Sequence, residues 1–158
     1  MWKKHPKALP FLFFSEMWER FGYYLMIGIF TLYLKDVKAG YAMTEAESAD
    51  LYGTFIALVF LTPFIGGLLA DRYLGYRKSI IMGGLMMGIG YCLMSVHNIA
   101  MLYLSMTLVI VGNGFFKPTI STLLGNLYSE EPYKENKDSG YNIFYMGINV
   151  GAFICNII

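Results

Sequence analysis

Charge is scarce in these 158 residues. Asp, Glu, Lys and Arg make up 15% of the chain, where a soluble domain carries about 25%. The signs nearly cancel, at a net charge of +1, and no basic stripe runs through the sequence, so nothing points to a nucleic-acid partner. Cysteine is scarce too. Cys92 and Cys155 both fall in apolar runs and read as small buried residues, with no disulfide framework. The two histidines, His5 and His97, lie at the edges of apolar runs and read as solvated loop residues. No His or Cys cluster with metal-ligand spacing occurs, and G-x-x-x-x-G-K-[ST], G-x-S-x-G and G-x-G-x-x-G are all missing. These absences point away from an enzyme, a metal and an organic cofactor.

What remains is apolar: 56% of the residues are hydrophobic, gathered into long runs. A bilayer-spanning helix needs about 20 such residues. Runs of that order predict five helices, at about 9–34, 51–70, 79–96, 99–127 and 141–158, and hence an all-α membrane protein. Thr44 with Glu47 three residues on forms a capping-box signal before the second helix. Asp71 to Lys78 reads as a short charged turn, and His97-Asn98 as a minimal connection between antiparallel neighbours. The basic start, Lys3-Lys4-His5-Pro6-Lys7, resembles a signal peptide, but the run behind it is too long, carries charges and lacks a small-residue cleavage site. It is read as an uncleaved first span. The fifth run reaches Ile158 without a cap or breaker, so the chain is expected to be the N-terminal part of a longer protein. Eight Lys and Arg fall on one side of the predicted spans and two on the other, which puts the N-terminus in the cytoplasm.

Charge inside a span is costly and by default functional. Glu16, Glu19 and Arg20 share one face of the first helix, and Tyr23 and Tyr24 extend it. Arg20 can hold one carboxylate ionised, leaving the other as a candidate for taking up and releasing a proton. The bland alternative is a static ion-pair cluster. Lys117, between Asn113 and Pro118, is a fourth charge at membrane depth; its expected partner is Glu16 or Glu19 across a wet cavity, the alternative being a lysine that snorkels to the interface. Tyr141, Tyr145 and Asn149, with Asn142 nearby, form a polar stripe that either faces substrate or bonds neighbouring helices. Two G-x-x-x-G spacings, Gly84/Gly88 and Gly147/Gly151, predict close helix approach.

Four of these segments, in this order, resemble one family. Glu16-x-x-Glu19-Arg20-Phe21-x-Tyr23-Tyr24 is similar to the ExxER motif of the proton-dependent oligopeptide transporters. Gly67-x-x-x-Asp71-Arg72-x-x-Gly75-x-Arg77-Lys78 resembles the loop motif of the major facilitator superfamily. Gly112 to Pro118 and Phe144-Tyr145-x-x-Ile148-Asn149-x-Gly151 resemble the family's fourth- and fifth-helix segments. The resemblance implies the N-terminal part of a six-helix bundle in a proton-coupled symporter of short peptides, sited in the plasma or bacterial inner membrane and needing further C-terminal helices. It implies that Glu16, Glu19, Arg20 and Lys117 couple protons, and that Arg20, Tyr23, Tyr24, Lys117 and Asn149 line the substrate site. Asp71, Arg72, Arg77 and Lys78 would act in gating. Two positions depart from the family. Leu25-Met26-Ile27 stands where peptide-transporting members carry Gly-x-Arg, and Phe60 stands where many have tyrosine. The departures leave nitrate or another small solute as an alternative cargo. A non-transporting membrane scaffold is the alternative from another class.

Overall fold

The computed structural model describes residues 4–129 and 131–157. Its helices are α1 (Leu9–Lys35), α2 (Glu45–Leu69), α3 (Tyr76–Met94), α4 (Ile99–Leu127) and α5 (Lys137–Cys155). A π-helical turn, Ala70–Leu74, continues α2, and a 3₁₀ turn, Lys134–Asn136, precedes α5. Three helices begin earlier than their apolar runs. In α2 the reason is the capping box: Glu47 N donates to Thr44 Oγ1 (3.3 Å) and Thr44 N to Glu47 Oε2 (2.8 Å), so the polar residues 45–50 are already helical. The charged turn expected at 71–78 is also mostly helix. Gly75, at φ 76°, is its one non-helical residue, and its N–H closes on Ala70 O at 2.8 Å. That left-handed φ suits a residue without a Cβ.

The chain divides into two compact units, Gly28–Thr119 and Met1–Ile27 with Ile120–Ile158. In the first, α4 meets α2 and α3 at glycines. A Cβ on Gly66 would overlap the backbone of Gly114, and one on Gly83 would stand 2.7 Å from Gly112 O. The Gly84/Gly88 pair does not make this contact: the nearest atoms to a Cβ on Gly84 are Phe116 ring carbons at 3.9 Å, and Gly88 meets nothing within 4 Å. The buried face of α3 is Ser79, Gly83, Met87, Gly90 and Met94, and Gly84 and Gly88 lie one residue, about 100°, round from it. Polar bonds reinforce the α2–α4 seam. Pro63 has no N–H to give the carbonyl of Val59, and Asn113 Nδ2 donates to that carbonyl at 3.0 Å. One turn further along, Thr62 Oγ1 donates to Ile110 O at 3.0 Å.

In the second unit, α5 lies against the first half of α1 through its own small-residue pair. A Cβ on Gly147 would stand 3.0 Å from Phe13 O, and one on Gly151 would overlap Met17 O. Here the G-x-x-x-G spacing does lie on the buried face, beside Gly140, Ile143 and Phe144.

Burial is inverted relative to a soluble protein. Glu16 and Arg20 are 3% and 5% exposed, whereas Phe11 and Phe64 are both 74% exposed. By length and composition α2 with its π turn and α4 are each able to cross a bilayer, at mean hydropathies of 2.0 and 1.8. The same inversion accounts for the cysteines. Cys92 is exposed and Cys155 half-buried, not packed inside as expected, because apolar outer faces are what lipid solvates.

Candidate functional site

Arg20 is the centre of the charged cluster. Its Nη2 donates to Glu19 Oε1 at 2.7 Å, and its Nε bonds Glu19 Oε2, so the neighbouring carboxylate grips the guanidinium at two points. Glu16 Oε1 lies 3.5 Å from Nε, one turn earlier on the same face. The Tyr23 ring supplies a third contact, its centroid 4.9 Å from the guanidinium carbon. The planar fork of arginine suits this arrangement, since it takes a carboxylate bidentately while lying on an aromatic face. The two carboxylates are thus held unequally by one cation. Tyr24, predicted on the same face as Tyr23, diverges from it: Tyr23 is buried under Arg20, and Tyr24 is 39% exposed.

In the other unit, Lys117 is half-buried on α4, with its Nζ 5.3 Å from the centroid of the Phe60 ring on α2. Its neighbour one turn back, Asn113, is buried, and its Nδ2 donates to Val59 O on α2. The α5 stripe divides. Tyr145 and Asn149 are exposed, but half-buried Tyr141 donates its hydroxyl to Ser121 O at 3.3 Å. Asp71, Arg72, Arg77 and Lys78 are all exposed: the first two are on the π turn and the others in the first turn of α3.

The histidines separate as well. His97 is exposed and stacks on Tyr41, with ring centroids 4.9 Å apart and planes 14° from parallel. His5 overturns its reading as a solvated loop residue. It is 7% exposed, and its Nδ1 is 2.6 Å from the hydroxyl of Tyr128. Sequence pattern gives no sign of this, because the partner lies 123 residues away.

Buried charge on α1, apolar outer faces and helices joined by glycine contacts define, among the described residues, an all-helical protein of membrane type. The sequence profile of the POT family matches residues 77–158, and the chain belongs to that family. It is 38% identical over 157 residues to "uncharacterized transporter YclF" of Bacillus subtilis, covering 98% of this chain and 32% of that protein. It is 40% identical over 156 residues to dipeptide and tripeptide permease A of Escherichia coli K12, covering 98% and 30%. A crystal structure of a peptide transporter POT in complex with sulfate superposes with a TM-score of 0.91 at 38% identity, covering 98% of this chain and 32% of that one. The chain therefore spans about a third of the length of the relatives it matches.

Proposed function

We propose that this chain supplies the charged, proton-handling part of a symporter that moves di- and tripeptides with protons, its other helices lying outside this sequence. The observation that carries the reading is the unequal hold of Arg20 on two buried carboxylates. Glu19 is the fixed partner of Arg20, held in a two-point contact. Glu16, at 3.5 Å, is the acid that takes up a proton when the cluster rearranges. Lys117 is the cation that exchanges carboxylate partners with Arg20, and Tyr23, Tyr24 and Asn149 line the route of the substrate. Asp71, Arg72, Arg77 and Lys78 act at the gate on the cytoplasmic side, where the N-terminus also lies, in a plasma or bacterial inner membrane. The coupling ion is H⁺, and no chemical step or organic cofactor enters.

The test is Ala-Ala uptake into proteoliposomes containing the full-length transporter under an inward proton gradient. Glu16→Gln is expected to lower gradient-driven uptake roughly tenfold or more, the equivalent of about 1.4 kcal/mol, while exchange of labelled for unlabelled Ala-Ala without a gradient persists. Unchanged gradient-driven uptake in that variant would defeat the assignment. One observation favours a second cargo. Lys117 meets an apolar ring at Phe60, and residue 27 is isoleucine, so fewer polar groups are at hand for a peptide carboxylate. Competition of Ala-Ala uptake by nitrate separates the two.

A further inference from the structure

His5 and Pro6 are anchored, although they precede the first helix. Both are buried, and Pro6 O accepts from Leu9 N at 3.0 Å, so the anchor runs directly into the first turn of α1. The His5 Nδ1 to Tyr128 hydroxyl distance is 2.6 Å, and the two rings meet edge to face at 5.9 Å. Tyr128 follows the last residue of α4 and is fully buried. A Cβ on Gly140 would overlap its ring, so α5 approaches the tyrosine at a position that admits only hydrogen. Three parts of one unit thus converge on Tyr128: the chain before α1, the end of α4 and the start of α5.

Two α1 contacts with α5 in that unit are of a different kind. Gly147 and Gly151 offer smooth surfaces to Phe13 and Met17. Such packing fixes how close two helices come, but it resists sliding along the axis weakly, because dispersion has little direction. A buried hydrogen bond does have direction, and breaking it leaves a desolvated polar group. A phenol both donates and accepts, so the bond to His5 stands whether the imidazole is neutral or charged. From Leu9 to Glu16 is two helical turns, about 10 Å at 1.5 Å per residue, and α1 is continuous over them. An axial slip at His5 is therefore transmitted to the charged cluster.

We propose that His5 is a positioning residue: its bond to Tyr128 sets the axial register of α1, and with it the surroundings of Glu16, Glu19 and Arg20. The proposal rests on reading Glu16 as the titrating acid. The experiment uses the full-length transporter in lipid nanodiscs, with two readouts that need no transport. The first is a thermal-unfolding cycle over His5→Ala, Tyr128→Phe and the double variant. Each single is expected to lose about 3 °C and the double no more than either. His5→Asn, which places a polar atom where Nδ1 stands, is expected to retain stability, and His5→Gln, which mimics Nε2, to lose it. The second is a pH titration of the infrared carbonyl band of the buried protonated carboxyl, assigned by its loss in Glu16→Gln. His5→Ala and Tyr128→Phe are expected to move its midpoint by about 0.5 pH unit, and His5→Asn to leave it in place. Additive thermal losses would overturn the bond as a coupled pair. A band that Glu16→Gln removes but His5→Ala leaves unmoved would overturn the positioning role alone. A band that survives Glu16→Gln would overturn both that role and the reading of Glu16.

Discussion

On α1, polar groups at membrane depth are satisfied by charge: Arg20 takes Glu19 at 2.7 Å and Glu16 at 3.5 Å. Between α2 and α4 they are satisfied by neutral bonds to backbone carbonyls, Asn113 to Val59 O and Thr62 to Ile110 O, both at 3.0 Å. The neutral seam has one state, because no proton in it moves near neutral pH. It repairs the gap left by Pro63 and holds two helices together. In the charged cluster one cation serves two carboxylates, and on the proposed reading Glu16 there gains and loses a proton. Removing a member should therefore have different consequences in the two regions. In the seam it costs stability only, whereas in the cluster it costs stability and changes the response to pH.

The largest effect should come from Arg20→Ala. Taking one partner from a buried ionic cluster costs about 3–5 kcal/mol, because the charge left behind is uncompensated. A steep fall in unfolding temperature is expected, relieved when Glu19→Gln is added. Arg20→Lys should recover part of the loss but not the two-point grip, which needs the planar fork. A double variant no more stable than Arg20→Ala would break the comparison at its root.

Next come the glycine contacts. Gly83→Ala places a methyl 2.7 Å from Gly112 O and 2.9 Å from Phe116 N, both backbone atoms that cannot step aside. Overpacking of this kind costs about 1–3 kcal/mol. Gly84→Ala, whose nearest neighbours are ring carbons at 3.9 Å, should stay within about 0.5 kcal/mol. Equal losses in the two variants would put the α3–α4 contact on the wrong face. Asn113→Ala should cost less, about 1 kcal/mol, as for other interhelical bonds in membranes, and should leave the pH dependence of uptake where it was. A moved pH profile would take Asn113 out of the neutral seam and into the coupling machinery.

The sequence made the charged cluster legible because the cost of charge in lipid is local: three ionisable residues within five positions of an apolar run announce themselves. Helix type was legible for the same reason. Helix starts were less so, because the capping box at Thr44 and the polar first turns of α3 and α5 extend helices past their apolar runs. Which of two equal motifs makes contact was not legible. Gly84/Gly88 and Gly147/Gly151 have the same spacing, and only the rotation of each helix about its axis decides which pair is buried. His5 was hidden altogether, since its partner is set by the fold of α4 and α5 and not by anything near it in the chain.

The smallest effect lies outside the membrane, at the turn after α1. Asp36 Oδ1 accepts from the backbone N–H groups of Lys38 (2.8 Å) and Ala39 (2.7 Å), and these bonds hold its carboxyl below the usual carboxylate range. A group whose folded pKa is lowered stabilises the fold above its unfolded value, about 3.9, and that contribution is lost as pH falls through the folded value. Asp36→Asn keeps an oxygen acceptor and loses the charge. Its unfolding temperature should lie slightly below wild type from pH 5 to pH 7, and the two curves should converge as pH drops below about 4. Because the turn is exposed, added salt should shrink the gap. A gap that persists at pH 3 would mean that the side chain acts through shape and not through charge, which would make this turn a neutral device like the α2–α4 seam.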